Sequence, residues 1–356
     1  MTILDDKAAM ERLDAEGMVR LIEHFDEQIT RGMELGAAVD LGSIRRDYNA
    51  IAVPGMGGSA IGGDLLAAAL APTSPVPVTV VRGYHAPAWI GKQTLVFASS
   101  YSGNTHETLS ALGTAVEAGA QVIALTSGGR LGELAKQHGW PLVIVPGGQP
   151  PRASLGFMFV PLWMAVYRLD LCLSPEAELK ELATLIRSHE AELGLSVHTS
   201  SNYAKQLAEK MIGHPLYIYS VDGPLTPVSY RWRGQIQENA KMLAGSHSFP
   251  EFCHNEITGY EKPQEYVSDA IAIVLRDPDE VPQLRAQVDT SVDLMRQAVK
   301  EVIEIEGKGS TAMVRALGLI YLGDWVSFYL AMLNGVDPTS ITSITAIKAA
   351  INKAMG

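Results

Sequence analysis

Thr94-Leu-Val-Phe-Ala-Ser-Ser-Tyr-Ser-Gly-Asn-Thr105 is the stretch on which the fold turns. Its first half, up to Ser99, is an apolar run that reads as a strand. Its second half, Ser100 to Thr105, packs three hydroxyls and a glycine into a turn, and a helical pattern starts at Glu107. A strand that ends in such a turn and opens a helix presents outward amides and the positive end of a helix dipole. The turn is therefore a candidate anion site, with Ser100, Ser102 and Thr105 as neutral donors. It holds no lysine, so it is not a Walker loop, and the expected anion is a terminal phosphate monoester. The same residues also make an ordinary N-cap cluster that binds nothing.

A second turn of this kind lies about 40 residues upstream. The strand Ile51-Ala-Val-Pro54 runs into Gly55-Met-Gly-Gly-Ser-Ala-Ile-Gly-Gly63. Gly57 and Gly58 allow close approach of backbone to a ligand, and Ser59 stands at the helix start. The spacing is loosely that of a dinucleotide fingerprint, but Arg82-Gly-Tyr-His85 supplies no ribose-binding acid after the next strand. Two strand-to-helix turns of this sort point neighbouring strands at one crevice.

Outward from these turns, strands and helices alternate. Strands are expected at 50–54, 77–82, 94–99, 121–126 and 141–146, with helices at 59–71, 104–118 and 130–139 between them. That rhythm gives a parallel sheet with helices on both faces. Helices follow at 155–171 and 176–194. A fresh unit then begins with helix 203–213, strand 216–220, a helix from 228 to 244 and strand 270–275. Helix 289–299, a strand-like stretch Thr311–Val314 and a long helix at 318–334 complete it. The chain reads as α/β, two doubly wound domains at 46–194 and 195–356, preceded by a helical segment at 1–45.

Composition narrows the function class. The 356 residues suffice for two domains, and 47% are hydrophobic against 19% charged. A net charge of −11 with no basic tract argues against nucleic acid or a membrane surface as partner. The longest apolar stretches are interrupted by Gly, Asp or Pro, which argues against a membrane span. Cys172 and Cys253 form neither a disulfide framework nor a metal spacing and read as small buried residues. No metal site and no cofactor are expected, and the start of the chain does not resemble a signal peptide, so a cytoplasmic protein is expected.

The chemistry-bearing candidates lie in the second half. Arg231, Gln235, Glu238 and Lys241 recur at helical spacing, and His254 follows Glu238 by sixteen residues. A carboxylate helix followed by a histidine loop supplies a base and an acid; a solvated helix face and an ordinary loop histidine give the same pattern.

Five segments in order, Gly55–Asp64, Ser100–Thr105, Pro151-Arg-Ala153, Glu238-Asn-Ala-Lys241 and His254-Asn-Glu-Ile257, together resemble the bifunctional phosphoglucose/phosphomannose isomerases, two-domain members of the sugar isomerase (SIS) superfamily. The resemblance extends to the tail Asp337–Lys348, where Thr339-Ser-Ile341 departs from the more usual Thr-Pro-Val. It implies two SIS domains and reversible conversion of glucose 6-phosphate and mannose 6-phosphate to fructose 6-phosphate through a cis-enediol. By resemblance, Gly57, Gly58, Ser59, Ser100, Ser102 and Thr105 hold the phosphate. Glu238 is the C1–C2 base, His254 and Lys348 open the ring, and Arg152 stabilises enediolate charge. A homodimer with His254 supplied across the interface is also implied. The alternatives are a non-catalytic SIS sugar-phosphate sensor and an amino-sugar phosphate isomerase. His85, His106 and His247 carry no motif and are expected at the surface.

Overall fold

A computed structural model describes residues 2–355. Three helices, α1 (Lys7–Leu13), α2 (Met18–Glu23) and α3 (Phe25–Ala38), precede the first sheet. Then come β1 (Ala50–Pro54), α4 (Gly57–Leu70), β2 (Val78–Val81), β3 (Thr94–Ser99), α5 (His106–Glu117), β4 (Gln121–Thr126), α6 (Gly129–His138) and β5 (Leu142–Ile144). The strands pair in the order β2-β1-β3-β4-β5, all parallel. β3 and β4 are buried along their whole length, because helices cover both faces of the sheet. Ile51, Leu95, Phe97 and Ile123 face one side with α3, α4 and α7 (Leu155–Arg168). Ala52, Val96, Ala98 and Val122 face the other with Ala111 and Ala115 of α5 and Leu131 of α6.

The chain continues through α8 (Glu176–Leu193) and α9 (Tyr203–Met211) into β6 (Leu216–Ser220), α10 (Thr226–Ala240) and β7 (Ala244–Ser248). Short turns at Glu251–His254 and Glu256–Tyr260 lead to α11 (Glu265–Ser268), β8 (Ile271–Arg276), α12 (Pro282–Met295), β9 (Glu301–Glu306), α13 (Ala312–Leu333) and α14 (Thr342–Met355). The second sheet is also wholly parallel, in the order β7-β6-β8-β9. Both sheets and their flanking helices match the expected α/β class.

Several boundaries differ from expectation. The last strand is Glu301–Glu306, not Thr311–Val314, where Thr311 instead caps α13 through Val314 N. α10 stops at Ala240, with Lys241 in a left-handed conformation (φ +58°), and the chain re-enters the sheet as β7. α12 begins at Pro282, seven residues before the expected helix, with proline in the first turn, where its missing N–H costs nothing. Among the described residues of the first 45, three α-helices broken at Asp14 and His24 take the place of the single amphipathic helix expected. Cys172 and Cys253 are half-buried, not buried.

α13 is long and apolar enough to cross a bilayer, but 94% of its most apolar window lies inside the protein. It is a core helix packed against α8, α9 and α10. A helix apolar on every side needs protein around it in water. Its one acid, Asp324, is buried and turns out to belong to the site.

Candidate active site

The two turns read from sequence meet at the carboxyl ends of β1 and β3, where the strand order reverses. The Tyr101 amide donates to Ser59 Oγ at 3.2 Å and ties the turns together. Ser100 Oγ and Thr105 Oγ1 lie 2.9 Å apart, so one donates to the other and a single hydroxyl proton is left over. Gly103 has φ +68°, and a Cβ there would meet Gly128 O at 1.9 Å, so only glycine fits this corner. Thr105 precedes α5 without a side-chain cap bond, and the first-turn amides have no intrahelical partner. Ser59 and Ser100 are buried, whereas Ser102 is exposed. The open donors are thus Ser102, the Ser100–Thr105 pair and the α5 amides, while Ser59 holds the turns together.

The glycine turn leads to the next element by contact. A Cβ on Gly58 would lie 2.6 Å from Pro151 O and 3.3 Å from Arg152 Cα. Arg152 stands on the short turn Pro151–Ala153 and is 3% exposed. Its Nε donates to Asn239 Oδ1 at 2.7 Å, and its Nη2 donates to Pro338 O at 2.6 Å and Thr339 O at 3.0 Å. Its Nη1 faces Glu238 Oε2 at 3.4 Å. Burial pulls the guanidinium below the usual arginine value, opposed by the charges of Glu238 and Asp337. Glu238 projects from the last turn of α10, and its side chain is 32% exposed. Gly57, Gly58, Arg152, Arg233, Gln237 and Glu238 are among the residues lining a pocket of about 180 Å³. A carboxylate and a fixed planar cation therefore share one small cavity beside the glycine turn.

The α10 face expected to be solvated is turned inward at two of its four positions. Arg231 and Gln235 are buried. Arg231 Nη2 donates to both Asp324 oxygens, at 2.8 and 3.0 Å, and to Arg152 O at 3.0 Å. Gln235 Nε2 donates to Asp324 Oδ1 at 2.7 Å. Desolvation raises the Asp324 pKa, opposed by Arg231 and Gln235. Asn239 Nδ2 donates to Ser327 Oγ at 2.9 Å, which turns its carbonyl oxygen toward Arg152. Lys241 remains exposed, and its Nζ ties Glu238 O to Asp337 O, each at 2.8 Å. Asn239 and Asp324 were not singled out from sequence. A lone acid inside a 22-residue apolar helix was the signal for the second.

Beyond Thr339 the tail turns back toward the anion loop. His106, one residue past Thr105, meets Asn352 Oδ1 through Nε2 at 2.9 Å. Lys348 lies one turn ahead of Asn352 on the same face of α14, about 6 Å along the axis. Its side chain is exposed. His106 is half-buried rather than at the surface, as is His247, whose Nδ1 accepts from Ser248 N at 2.8 Å; His85 is exposed as expected.

His254 is not brought to Glu238. α10 covers the sheet face of Ser220, whose Oγ meets Ser229 Oγ at 2.9 Å. The segment bearing His254 covers the opposite face. Phe252 packs on Tyr219 with ring centroids 4.7 Å apart, and Tyr219 Oη donates to Glu256 at 2.6 Å. Ser220 and Tyr219 are adjacent in β6, so they point to opposite faces. A strand layer thus stands between the elements that carry Glu238 and His254, and His254 itself is exposed.

Comparison with known proteins identifies the relatives of this chain. Residues 46–137 match the SIS domain family, and residues 200–351 match the bacterial phospho-glucose isomerase C-terminal SIS domain. A hypothetical protein of Thermus thermophilus superposes with a TM-score of 0.76 at 17% identity, covering 99% of this chain and 95% of that one. At that identity the match speaks to the fold alone. The bifunctional phosphoglucose/phosphomannose isomerase of Aquifex aeolicus is 33% identical, over 86% of this chain and 91% of its own. That of Caldicellulosiruptor bescii is 36% identical over 331 residues, 93% of this chain and 98% of its own. With turns, cation and carboxylate in one place and similarity across nearly its whole length, the chain belongs to the bifunctional phosphoglucose/phosphomannose isomerase family.

Proposed function

We propose that this protein interconverts glucose 6-phosphate or mannose 6-phosphate with fructose 6-phosphate. The observation that carries the reading is Glu238 facing Arg152 at 3.4 Å in a pocket bounded by the glycine turn. The phosphate binds at Ser102, the Ser100–Thr105 pair and the α5 amides, with Gly57 and Gly58 giving close approach and Ser59 holding the loop. Lys348 protonates the ring oxygen as His254 takes the C1 hydroxyl proton, which opens the sugar to the aldehyde. Glu238 then removes the C2 proton. The electron pair moves to O1, and Arg152 stabilises the resulting enediolate. The O2 hydroxyl proton passes to O1 across the cis-enediolate, Glu238 returns its own proton to C1, and C2 becomes the ketone. C2 is planar in the intermediate, so one base serves both epimers when the chain carbons turn about C2–C3.

His254 acts from a second copy of the chain in this reading, as a homodimer with two shared sites. The strand layer between the elements carrying Glu238 and His254 supports that, and a two-fold interface is the commonest arrangement of soluble oligomers. The test is a chelator-treated assay without added cofactor, following fructose 6-phosphate by NMR from each aldose phosphate. Conversion of both is expected. Absence of conversion of either, with the phosphate sugars still bound, refutes the reading and leaves a sensor; activity restored only by added metal refutes the mechanism.

A further inference from the structure

We propose that Gln28, on the helical segment ahead of both sheets, is a positioning residue for the reaction: it holds the backbone of the turn that aims Arg152. This rests on the reading above that Arg152 stabilises the enediolate. Gln28 sits in α3 and is 3% exposed. Its Nε2 donates to Ala153 O at 2.7 Å and faces Leu21 O at 3.5 Å, and its Oε1 accepts from Gly156 N at 3.2 Å. Ala153 directly follows Arg152, and Gly156 lies in the first turn of α7. One buried amide therefore joins the end of the Arg152 turn to the start of the next helix. The Gly156 amide is one of the first-turn donors that a helix leaves without an internal partner. Ser154 stands at the N-cap position but makes no cap bond; its hydroxyl lies 3.1 Å from Gln149 Oε1 and 3.2 Å from Pro150 O. Gln28 supplies from outside the cap that Ser154 does not.

The seam that carries Gln28 holds it in one register. Gln28, Gly32 and Gly36 recur every four residues on α3, as do Gly156, Val160 and Met164 on α7. A Cβ on Gly156 would lie 2.6 Å from Gln28 Cβ, one on Gly32 2.9 Å from Val160 Cβ, and one on Gly36 2.5 Å from Met164 Cβ. A side chain meets a glycine at each step, so the two ridges interlock and cannot slide. Apolar packing asks for no amide on such a seam, and burying one is costly unless its polar atoms are used. The two backbone groups that Gln28 serves account for it. The same turn is held on its other side by α10, where Arg231 Nη2 donates to Arg152 O at 3.0 Å. Adjacent carbonyls of one turn are thus tied to opposite elements. The Arg152 guanidinium faces Glu238 at 3.4 Å only while its backbone stays between these ties. Releasing one tie keeps the charge and loses the aim, and a misplacement of about 1 Å costs about 10²-fold.

Inhibitor affinities separate positioning from folding. The hydroxamate of a five-carbon sugar-acid phosphate presents the planar, negatively polarised end of the enediolate; the matching polyol phosphate does not. Gln28→Met removes both bonds at nearly constant volume. It should lower kcat by about 10- to 100-fold with KM within about threefold, and weaken the hydroxamate by a similar factor while the polyol phosphate binds as in wild type. Gln28→Asn, one methylene shorter, keeps an amide drawn back from both partners. It should show the same split at smaller size, which keeps the test decisive should the methionine chain fail to fold. Val160→Ala loosens the same seam away from the turn and should lower the urea midpoint while kcat and both inhibitors stay unchanged. Arg152→Lys is measured alongside. Wild-type kcat and hydroxamate affinity in both Gln28 variants overturns the positioning role. So does equal weakening of the two inhibitors, or a loss of kcat in Val160→Ala as large as in the Gln28 variants. An Arg152→Lys chain that keeps its hydroxamate affinity refutes instead the enediolate role of Arg152 on which the proposal rests.

Discussion

Replacing Arg152 by lysine keeps the positive charge and removes the planar fork, so it separates what the charge does from what the geometry does. Arg152 spends Nε on Asn239, Nη2 on the carbonyls of Pro338 and Thr339, and turns Nη1 toward Glu238. These acceptors are spread around a plane, and three ammonium protons on one flexible stem cannot reach them together. At least two acceptors lose their donor. Each buried acceptor left unsatisfied costs about 1–3 kcal/mol, for a total of about 2–6 kcal/mol of folding stability. The catalytic loss is separate. A donor that stabilises developing negative charge is worth about 10²–10³ in kcat, and a mobile ammonium gives up most of that because it is no longer aimed. The assay is kcat and KM for fructose 6-phosphate formation, with urea unfolding of the same protein. The expected result is kcat down by about 10²–10³, KM changed little, and a lowered urea midpoint. A lysine variant with kcat within about threefold of wild type would mean that charge alone suffices and that the hydrogen-bonded frame around Arg152 has no catalytic purpose.

Glu238→Gln keeps the side-chain shape but cannot accept the C2 proton, so turnover should fall by about 10²–10⁴ while the inhibition constant of a sugar-acid phosphate stays near wild type. Near-normal turnover removes Glu238 from the mechanism. Ser102→Ala and Ser59→Ala should separate: the exposed Ser102 should chiefly raise KM, by about 1.5–3 kcal/mol of binding, whereas loss of the buried Ser59 hydroxyl strands the Tyr101 amide and lowers stability by about 1–3 kcal/mol. Equal effects in both measurements would refute that division of labour. Asp324→Ala leaves Arg231 buried without its counter-charge and should cost about 3–5 kcal/mol in denaturant unfolding, with a loss of activity through the Arg152 carbonyl that Arg231 holds.

Local pattern carried the first half of the molecule. β3 and β4 lie buried between two helix layers, so each has an unbroken apolar centre, Leu95–Ala98 and Val122–Leu125, visible from composition alone. The Ser100–Thr105 and Gly55–Gly63 turns are equally local, because a strand, a turn and a helix start are written within a dozen residues. β7, Ala-Gly-Ser-His-Ser, and β9, with three glutamates in six residues, have no such signature. They are strands because β6 and β8 pair with them, and that is a property of the partner. The same divide runs through the site. Glu238 and Arg152 were named from motifs, but their meeting across 86 residues, and the Asn239, Ser327 and Asp324 bonds that hold them, exist only once α10 packs on α13. Helical spacing placed Arg231, Gln235, Glu238 and Lys241 on one face, yet could not say that half of that face turns inward. His254 shows the limit most plainly. Sequence set it sixteen residues after Glu238, but the chain between them passes through β7 and around the edge of the sheet. Which face a side chain reaches is decided by strand parity and by the path of the crossover, and neither is written in spacing along the chain.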